Sequence, residues 1–207
     1  MSRCSKPKKI RLIAITGGFA CGKSEAARLF KKKGLTVLSA DAIYHALLKD
    51  SQALKKKLVA RFGRGILTGG KVDRAKLKKK VFSCGNQKCF LALDRITHPF
   101  IIKELKKRIE YYRGKVSCLG VEVPLLYEAG LKSLFDTIVV VSSSLHTQIR
   151  RALDCGYTKP QILRLLRHQL PLEKKKRRAH FVIENVTTRK ELEKRVNQVY
   201  KKIIDRR

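Results

Sequence analysis

The chain has 207 residues, with 49 Lys+Arg against 16 Asp+Glu and a formal net charge of +33. Its length suits one domain, or one core with a small insertion, and its 43% apolar content excludes a disordered polycation. No apolar run reaches the ~18 residues that a transmembrane helix needs, so no membrane partner is expected.

Residues 1–9 read as a disordered basic tail. Ile10 to Thr16 is mostly apolar and β-branched, which predicts a strand. Its apolar part is too short for a signal peptide, and Gly17-Gly18 break it at once, so a soluble cytoplasmic protein is expected. A helical pattern runs from about Lys23 to Lys33, and Gly34 punctuates its C-terminal end. Leu35 to Leu38 is a second short strand, followed by Ser39-Ala40-Asp41 and another helix. Helical patterns with basic faces fill about 51–113, with no strand among them. Val116 to Val123 is a third strand. Thr137 to Val141 is a fourth, a continuous apolar run typical of burial on both faces. Helices are predicted at about 145–154, 160–168 and 171–179. Phe181 to Ile183 is a fifth strand, and 188–204 a closing helix with Leu192, Val196, Val199 and Ile203 on one face.

Strands alternating with helices predict an α/β fold, a doubly wound and mostly parallel five-stranded sheet. The expected organisation is a single domain over 10–207. Its core is 10–50 and 114–207, with a helical insertion at about 51–113 and a helical lid at about 145–180.

The charge points to polyanionic partners. Its lysines are dispersed, however. Triplets at Lys31-Lys32-Lys33, Lys55-Lys56-Lys57, Lys78-Lys79-Lys80 and Lys174-Lys175-Lys176 sit in or beside helical stretches and read as solvated faces. Non-specific binding to RNA or DNA at low salt is expected, but not as the function. The cysteines Cys4, Cys21, Cys84, Cys89, Cys118 and Cys155 form no Cys-x-x-Cys pair and lack zinc-site spacing to His. Reduced, unpaired thiols and no protein-bound transition metal are expected.

The sharpest signal is Gly17-Gly18-Phe19-Ala20-Cys21-Gly22-Lys23-Ser24, which fits G-x-x-x-x-G-K-[ST], the P-loop. Glycines let the backbone curl until successive N–H groups point at one spot. The following helix adds its positive end. Lys23 brings a full charge to the β/γ-phosphates, and the Ser24 hydroxyl can ligate Mg²⁺. The motif lies between a predicted strand and a predicted helix, as the mechanism requires. ATP with Mg²⁺ follows, although the loop by itself does not separate ATP from GTP.

With few acids, their positions carry information. Asp41 falls at the carboxyl edge of the sheet, where ligands bind in such folds. It reads either as the group that orients an attacking hydroxyl or as a helix N-cap. Glu122 lies inside an apolar strand, which is costly unless the carboxylate is paired or metal-linked. A Mg²⁺-side role, direct or through water, and a salt bridge are both open. Glu128 reads as a helix-terminal charge. Arg150, Arg151, Arg164, Arg167, Arg177 and Arg178 crowd 145–180, where a lid could bring one or two of them to a transferring phosphoryl group.

Together these residues resemble the dephospho-coenzyme A kinases, from about Ile10 to about Ile204. The P-loop preceded by Thr16 resembles that family's Thr-Gly-Gly start. Ser39-Ala40-Asp41 resembles its Asp-Ala-Asp turn, Val72-Asp73-Arg74 the opening of a substrate-domain helix, and Thr97-His98-Pro99 a His-Pro pair ahead of a long helix. Glu122-Val123-Pro124-Leu125-Leu126-Tyr127-Glu128 resembles its Asp-[Ile/Val]-Pro-Leu-Leu-[Phe/Tyr]-Glu signature. Gln148, Arg151, Gln169 to Glu173 and Ile183-Glu184-Asn185 resemble its later blocks. The chain departs from that pattern at Ser39, His45, Glu25, Glu122 and His180.

The resemblance implies a P-loop kinase that moves the γ-phosphoryl of ATP to the ribose 3′-hydroxyl of dephospho-coenzyme A. This is the last step of coenzyme A synthesis. It implies ATP binding by Gly17 to Ser24, Glu25 and Arg151, catalysis by Lys23 and Asp41, and acceptor binding by Asp41, Asp73, Arg74, His98 and Glu128. Mg²⁺ would sit at Ser24 and Glu122. The runner-up is another small-molecule P-loop kinase, such as one acting on nucleoside monophosphates. A nucleic-acid-binding P-loop protein is the reading from a different class. Oligomeric state is left open.

Overall fold

Apolar, β-branched runs build the sheet that carries the candidate site. The computed structural model describes residues 10–84, 87–185 and 188–205, so the basic tail expected at 1–9 lies outside the described residues. The first half holds β1 (Arg11–Gly17), α1 (Lys23–Lys32), β2 (Thr36–Ser39), α2 (Ala40–Asp50), α3 (Gln52–Phe62), β3 (Leu67–Thr68), β4 (Lys71–Val72), α4 (Arg74–Ser83) and α5 (Lys88–Tyr112). The second holds β5 (Cys118–Glu122), β6 (Thr137–Ser142), α6 (Leu145–Asp154), α7 (Lys159–His168), α8 (Leu172–Arg177), β7 (Phe181–Glu184) and α9 (Arg189–Asp205). The five strands expected from sequence are all present, with ends shifted by a residue or two. Helices α6, α7 and α8 fill the stretch expected as a lid.

These five strands form one sheet in the order β2-β5-β1-β6-β7, and every pairing in it is parallel. β1, with the phosphate loop at its carboxyl end, is central. Ile15 of β1 and Ser39 of β2 both lie opposite Glu122 of β5. The carboxyl ends of three neighbouring strands are therefore level, which is where ligands gather in such sheets. Ile13, Ile15, Val139, Val141 and Ile183 pack against Ala26, Leu29 and Phe30 of α1 and the Leu192, Val196, Val199 and Ile203 face of α9. That apolar contact fixes the start of α1 relative to β1.

Two backbone pairings explain polar residues at strand starts. Asp136 Oδ2 accepts from Leu12 N at 2.9 Å, and His180 Nδ1 accepts from Ile138 N at 2.9 Å. His180 thus supplies an acceptor where the resemblance leads one to expect Asp.

The chain clusters into two compact units. One runs to Ser39 and resumes at Ile109; the other is Ala40–Arg108. The second unit begins earlier than the insertion expected at about 51, because α2 packs on α3 and β4.

Three expectations for this unit are corrected. It does contain strand: β3 and β4 form an antiparallel hairpin. The two residues between them, Gly69 and Gly70, have φ of 55° and 72°, and the tightest hairpin turns need two positive φ values in succession. Pro99 does not precede a long helix but lies inside α5. Proline there removes one backbone donor. Nearby, Thr97 Oγ1 donates to Leu93 O at 2.9 Å and takes up a carbonyl of the preceding turn. Finally, Cys84 and Cys89 are joined as a disulfide, not held as two unpaired thiols. Cys84 caps the C-terminal end of α4 and Cys89 lies in the first turn of α5, and their Cα atoms are 6.2 Å apart, within bridging range. Cys21, Cys118 and Cys155 are free thiols, as expected.

Candidate active site

The loop between β1 and α1 folds as the glycine pattern requires. Gly22 is left-handed, with φ 87°, and Ala20 is the one non-glycine described residue with positive φ. A Cβ on Gly17 would lie 2.1 Å from Val141 O, and one on Gly18 would lie 2.8 Å from Cys21 Sγ. Backbone bars any side chain at Gly17, whereas at Gly18 a Cβ would press on the ends of two side chains, Cys21 and Gln148. Lys23 opens α1, and its Nζ donates to Gly18 O at 2.7 Å. The ammonium therefore curls over the loop that its own helix follows. Phe19 meets Tyr157, which follows α6, edge to face with centroids 5.3 Å apart.

Two polar side chains brace the loop from outside. Asn185, after β7, donates from Nδ2 to Cys21 O at 2.9 Å. Gln148, on α6, is anchored through Nε2 on Ser143 O at 3.0 Å, and its Oε1 limits the space at Gly18. Arg151 lies one turn beyond Gln148 on α6. Its Nη2 donates to Asn185 O at 3.2 Å, while its buried Nη1 has no hydrogen-bond partner among the described residues. Gly22, Glu25, Arg28, Arg151, Asn185 and Arg189 line an open cavity of about 500 Å³ beside the loop.

Glu25 lines that cavity, but its carboxylate is already engaged. Arg28 Nη2 stands at 2.6 Å and Arg189 Nε at 3.1 Å. The hydrogen bond from Arg28 holds the Glu25 carboxyl below the usual glutamate range.

Ser24 and Glu122 meet on the other side of the loop. Ser24 Oγ donates to Glu122 Oε1 at 2.6 Å. Glu122 is buried at the end of β5, and this hydroxyl offsets part of the cost of desolvating it. Among the described residues no cluster of three or more His, Cys, Asp or Glu could cage a metal. A hydroxyl and one carboxylate are hard oxygen donors that suit Mg²⁺, an ion usually held by one or two carboxylates together with substrate phosphates. The residues present fit a metal that arrives with a nucleotide.

Glu128 stands elsewhere. Its Oε1 pairs with Lys175 Nζ at 2.8 Å and accepts from Leu170 N at 2.7 Å. Lys175 is the middle lysine of a triplet read as a solvated face, yet it is fully buried. Sequence reading missed it because nothing distinguishes it from Lys174 and Lys176. Asn185 and Gln148 were visible only as members of family-like blocks.

The remaining candidates lie in the Ala40–Arg108 unit. Asp41 is exposed in the first turn of α2, two residues past the end of β2. Burial lowers the pKa of His45, and Arg74 lowers it further against the opposing pull of Asp41. The Tyr44 hydroxyl is pushed up to about 12, chiefly by burial. Asp73 is the N-cap of α4: Oδ1 accepts from Lys76 N at 3.0 Å and Oδ2 from Thr68 Oγ1 at 2.9 Å. Both its oxygens are thus engaged within the unit. Arg74 is exposed on α4. His98 Nε2 approaches Asp94 Oδ1 at 3.6 Å on α5.

Known proteins resemble this chain over most of its length. A dephospho-CoA kinase of Carboxydothermus hydrogenoformans is 38% identical over 177 residues, covering 84% of this chain and 85% of the relative. One from Lactobacillus johnsonii is 34% identical over 195 residues, covering 92% and 97%. Among solved structures, TT1252 from Thermus thermophilus superposes with a TM-score of 0.79 at 28% identity, covering 95% of this chain and 99% of that one. Shikimate kinase from Acinetobacter baumannii, at 13% identity, TM-score 0.53 and 96% and 95% coverage, shares the fold. The sequence model described as dephospho-CoA kinase spans residues 11–191, from β1 through the phosphate loop, Glu122 and Asn185 to the start of α9, and the chain belongs to the dephospho-CoA kinase family.

Proposed function

We propose that this chain phosphorylates the ribose 3′-hydroxyl of dephospho-coenzyme A with ATP through the phosphate loop and the carboxylates named above. Its family makes coenzyme A in this last biosynthetic step. The observation that carries the assignment of roles is the 2.6 Å contact of Ser24 with buried Glu122, beside a loop in which a side chain at Gly17 would strike the Val141 carbonyl.

Phosphoryl transfer through a loose transition state depends on position and charge more than on strong bases. The loop amides and the α1 N-terminus receive the triphosphate, and Lys23 moves from Gly18 O to the phosphate oxygens. The cavity at Gly22, Arg151 and Asn185 receives the nucleoside end, with the buried Arg151 Nη1 as a donor awaiting an acceptor. Ser24 and Glu122 would hold Mg²⁺, directly or through water. Bound there, the ion would neutralise charge on the β- and γ-phosphates.

Asp41 orients the 3′-hydroxyl and takes up its proton as that oxygen bonds to the γ-phosphorus and the bond from the γ-phosphorus to the β–γ bridging oxygen breaks, releasing ADP. The place of Asp41 just past β2, in the Ser39-Ala40-Asp41 turn, supports this role. Arg74 and His98 contribute to the acceptor side, with His45 beside Arg74. Asp73 shapes α4, and Glu128 anchors Lys175; neither needs to touch a ligand. A cytoplasmic setting, where ATP and Mg²⁺ are plentiful, suits the reaction, and no described helix is long and apolar enough to cross a membrane.

The test is direct. Pure protein with ATP, Mg²⁺ and dephospho-coenzyme A should yield coenzyme A, detected by its mass. ADP release from nucleoside monophosphates, with no coenzyme A formed, would transfer the assignment to a different acceptor.

A further inference from the structure

The fully buried Lys175 belongs to no step above, yet it reaches the root of the phosphate loop. Its Nζ lies 2.8 Å from Glu128 Oε1, 3.3 Å from Pro124 O and 3.4 Å from Gly17 O. Three acceptors match the three hydrogens of an ammonium. An unpaired buried charge would be costly, so a lysine is tolerated here only with such partners.

Each acceptor belongs to a different part of the site. Gly17 O is one end of the Gly17–Gly18 peptide, whose plane is rigid and trans. A cation holding that carbonyl turns the Gly18 N–H to the opposite side. Pro124 O also accepts from Thr16 Oγ1 at 3.4 Å, and Pro124 lies two residues after Glu122. Glu128 in turn holds Leu170 N, ahead of α8.

We infer that Lys175 is a positioning residue, which sets the peptide at the base of the phosphate loop and the segment behind Glu122 through one buried ammonium paired with Glu128. This rests on the kinase reading above. Lys175 also ties α8 to the nucleotide side of the site, since α8 cannot shift without moving the ammonium.

The experiment compares the full-length protein with Lys175→Met, Lys175→Met/Glu128→Leu and the exposed control Lys174→Met. Steady-state kinetics, ATP affinity by calorimetry without acceptor, and melting temperature are measured on each. Lys175→Met should weaken ATP binding and lower kcat, each by roughly tenfold or more, as expected when preorganised donors lose alignment. It should also melt earlier, because the part-buried Glu128 is left without its cation. The double variant removes that orphan charge and should regain most of the melting temperature while ATP affinity and kcat stay low. Lys174→Met should match the wild type.

Recovery of ATP affinity and kcat together with stability in the double variant would reduce Lys175 to a packing element and overturn the inference. So would unchanged ATP affinity and kcat in Lys175→Met. A wild type that binds ATP but makes no coenzyme A would instead overturn the kinase reading. The ATP-binding comparison would still judge Lys175.

Discussion

At single residues, the scarcity of acids sorts them by task. Glu25, Glu104, Glu110, Glu173 and Glu191 each meet a cation three or four positions further along the chain. Such surface pairs are worth little, commonly under about 1 kcal/mol. Glu25 also reaches Arg189 on α9, whereas the partners of Glu122 and Glu128 lie on distant segments. Lys23→Ala should lower kcat by about 10² to 10³, the cost of removing one preorganised charge-stabilising group. Asp41→Asn should lower it by about 10² or more. Near-normal turnover in Asp41→Asn would remove that carboxylate from the mechanism. Gly22→Ala should abolish ATP binding, because its Cβ would lie 2.2 Å from Asn185 Nδ2 at a φ of 87°. Retained affinity in a calorimetric titration would show that the loop rearranges.

Among elements, caps show how local chemistry fixes helix starts in the Ala40–Arg108 unit. Ser51 caps α3 and Asp73 caps α4, each accepting a backbone N–H three residues on. The Lys76 amide holds the Asp73 carboxyl below the ordinary aspartate range, and Thr68 reinforces it. A carboxyl with a depressed native pKa contributes its stability above the unfolded pKa. That contribution is lost as pH falls through the native one. Asp73→Ala should therefore melt below the wild type at pH 7, and the gap should close in acid. A gap that persists unchanged at pH below both pKa values would mean that the cap acts without its charge. Helix α5 makes a related point. Its His-Pro pair looks like a boundary in sequence, because proline disfavours helix before it, yet the helix runs through.

For the molecule as a whole, the net charge of +33 is far from neutral and repels itself. Both substrates are polyanions, so this field favours their capture. It should also give weak, sequence-blind binding of a short single-stranded RNA at low salt, with affinity falling steeply as salt rises. Fluorescence anisotropy from about 20 to 200 mM salt checks it. Tight binding retained at the upper end would point to a nucleic-acid function beyond the kinase.

The amino-acid sequence alone determined the phosphate loop, the parallel α/β sheet, the α9 core face and the kinase family. Each depends on short-range pattern: glycines at fixed spacing, alternation of strand and helix, and apolar periodicity. The hairpin at Gly69-Gly70 was legible in principle, but its strands are only two residues long and carry too little periodicity to register. Tertiary structure alone decided which lysine of Lys174-Lys175-Lys176 is buried, that Glu122 meets Ser24 across 98 positions, and that Glu128 pairs with Lys175 rather than ending a helix. These are long-range contacts between segments, and a side chain's burial is set by what the fold brings over it. Cys84 and Cys89 show the same limit. Two thiols five positions apart become a pair only where the fold brings the end of α4 and the start of α5 within reach.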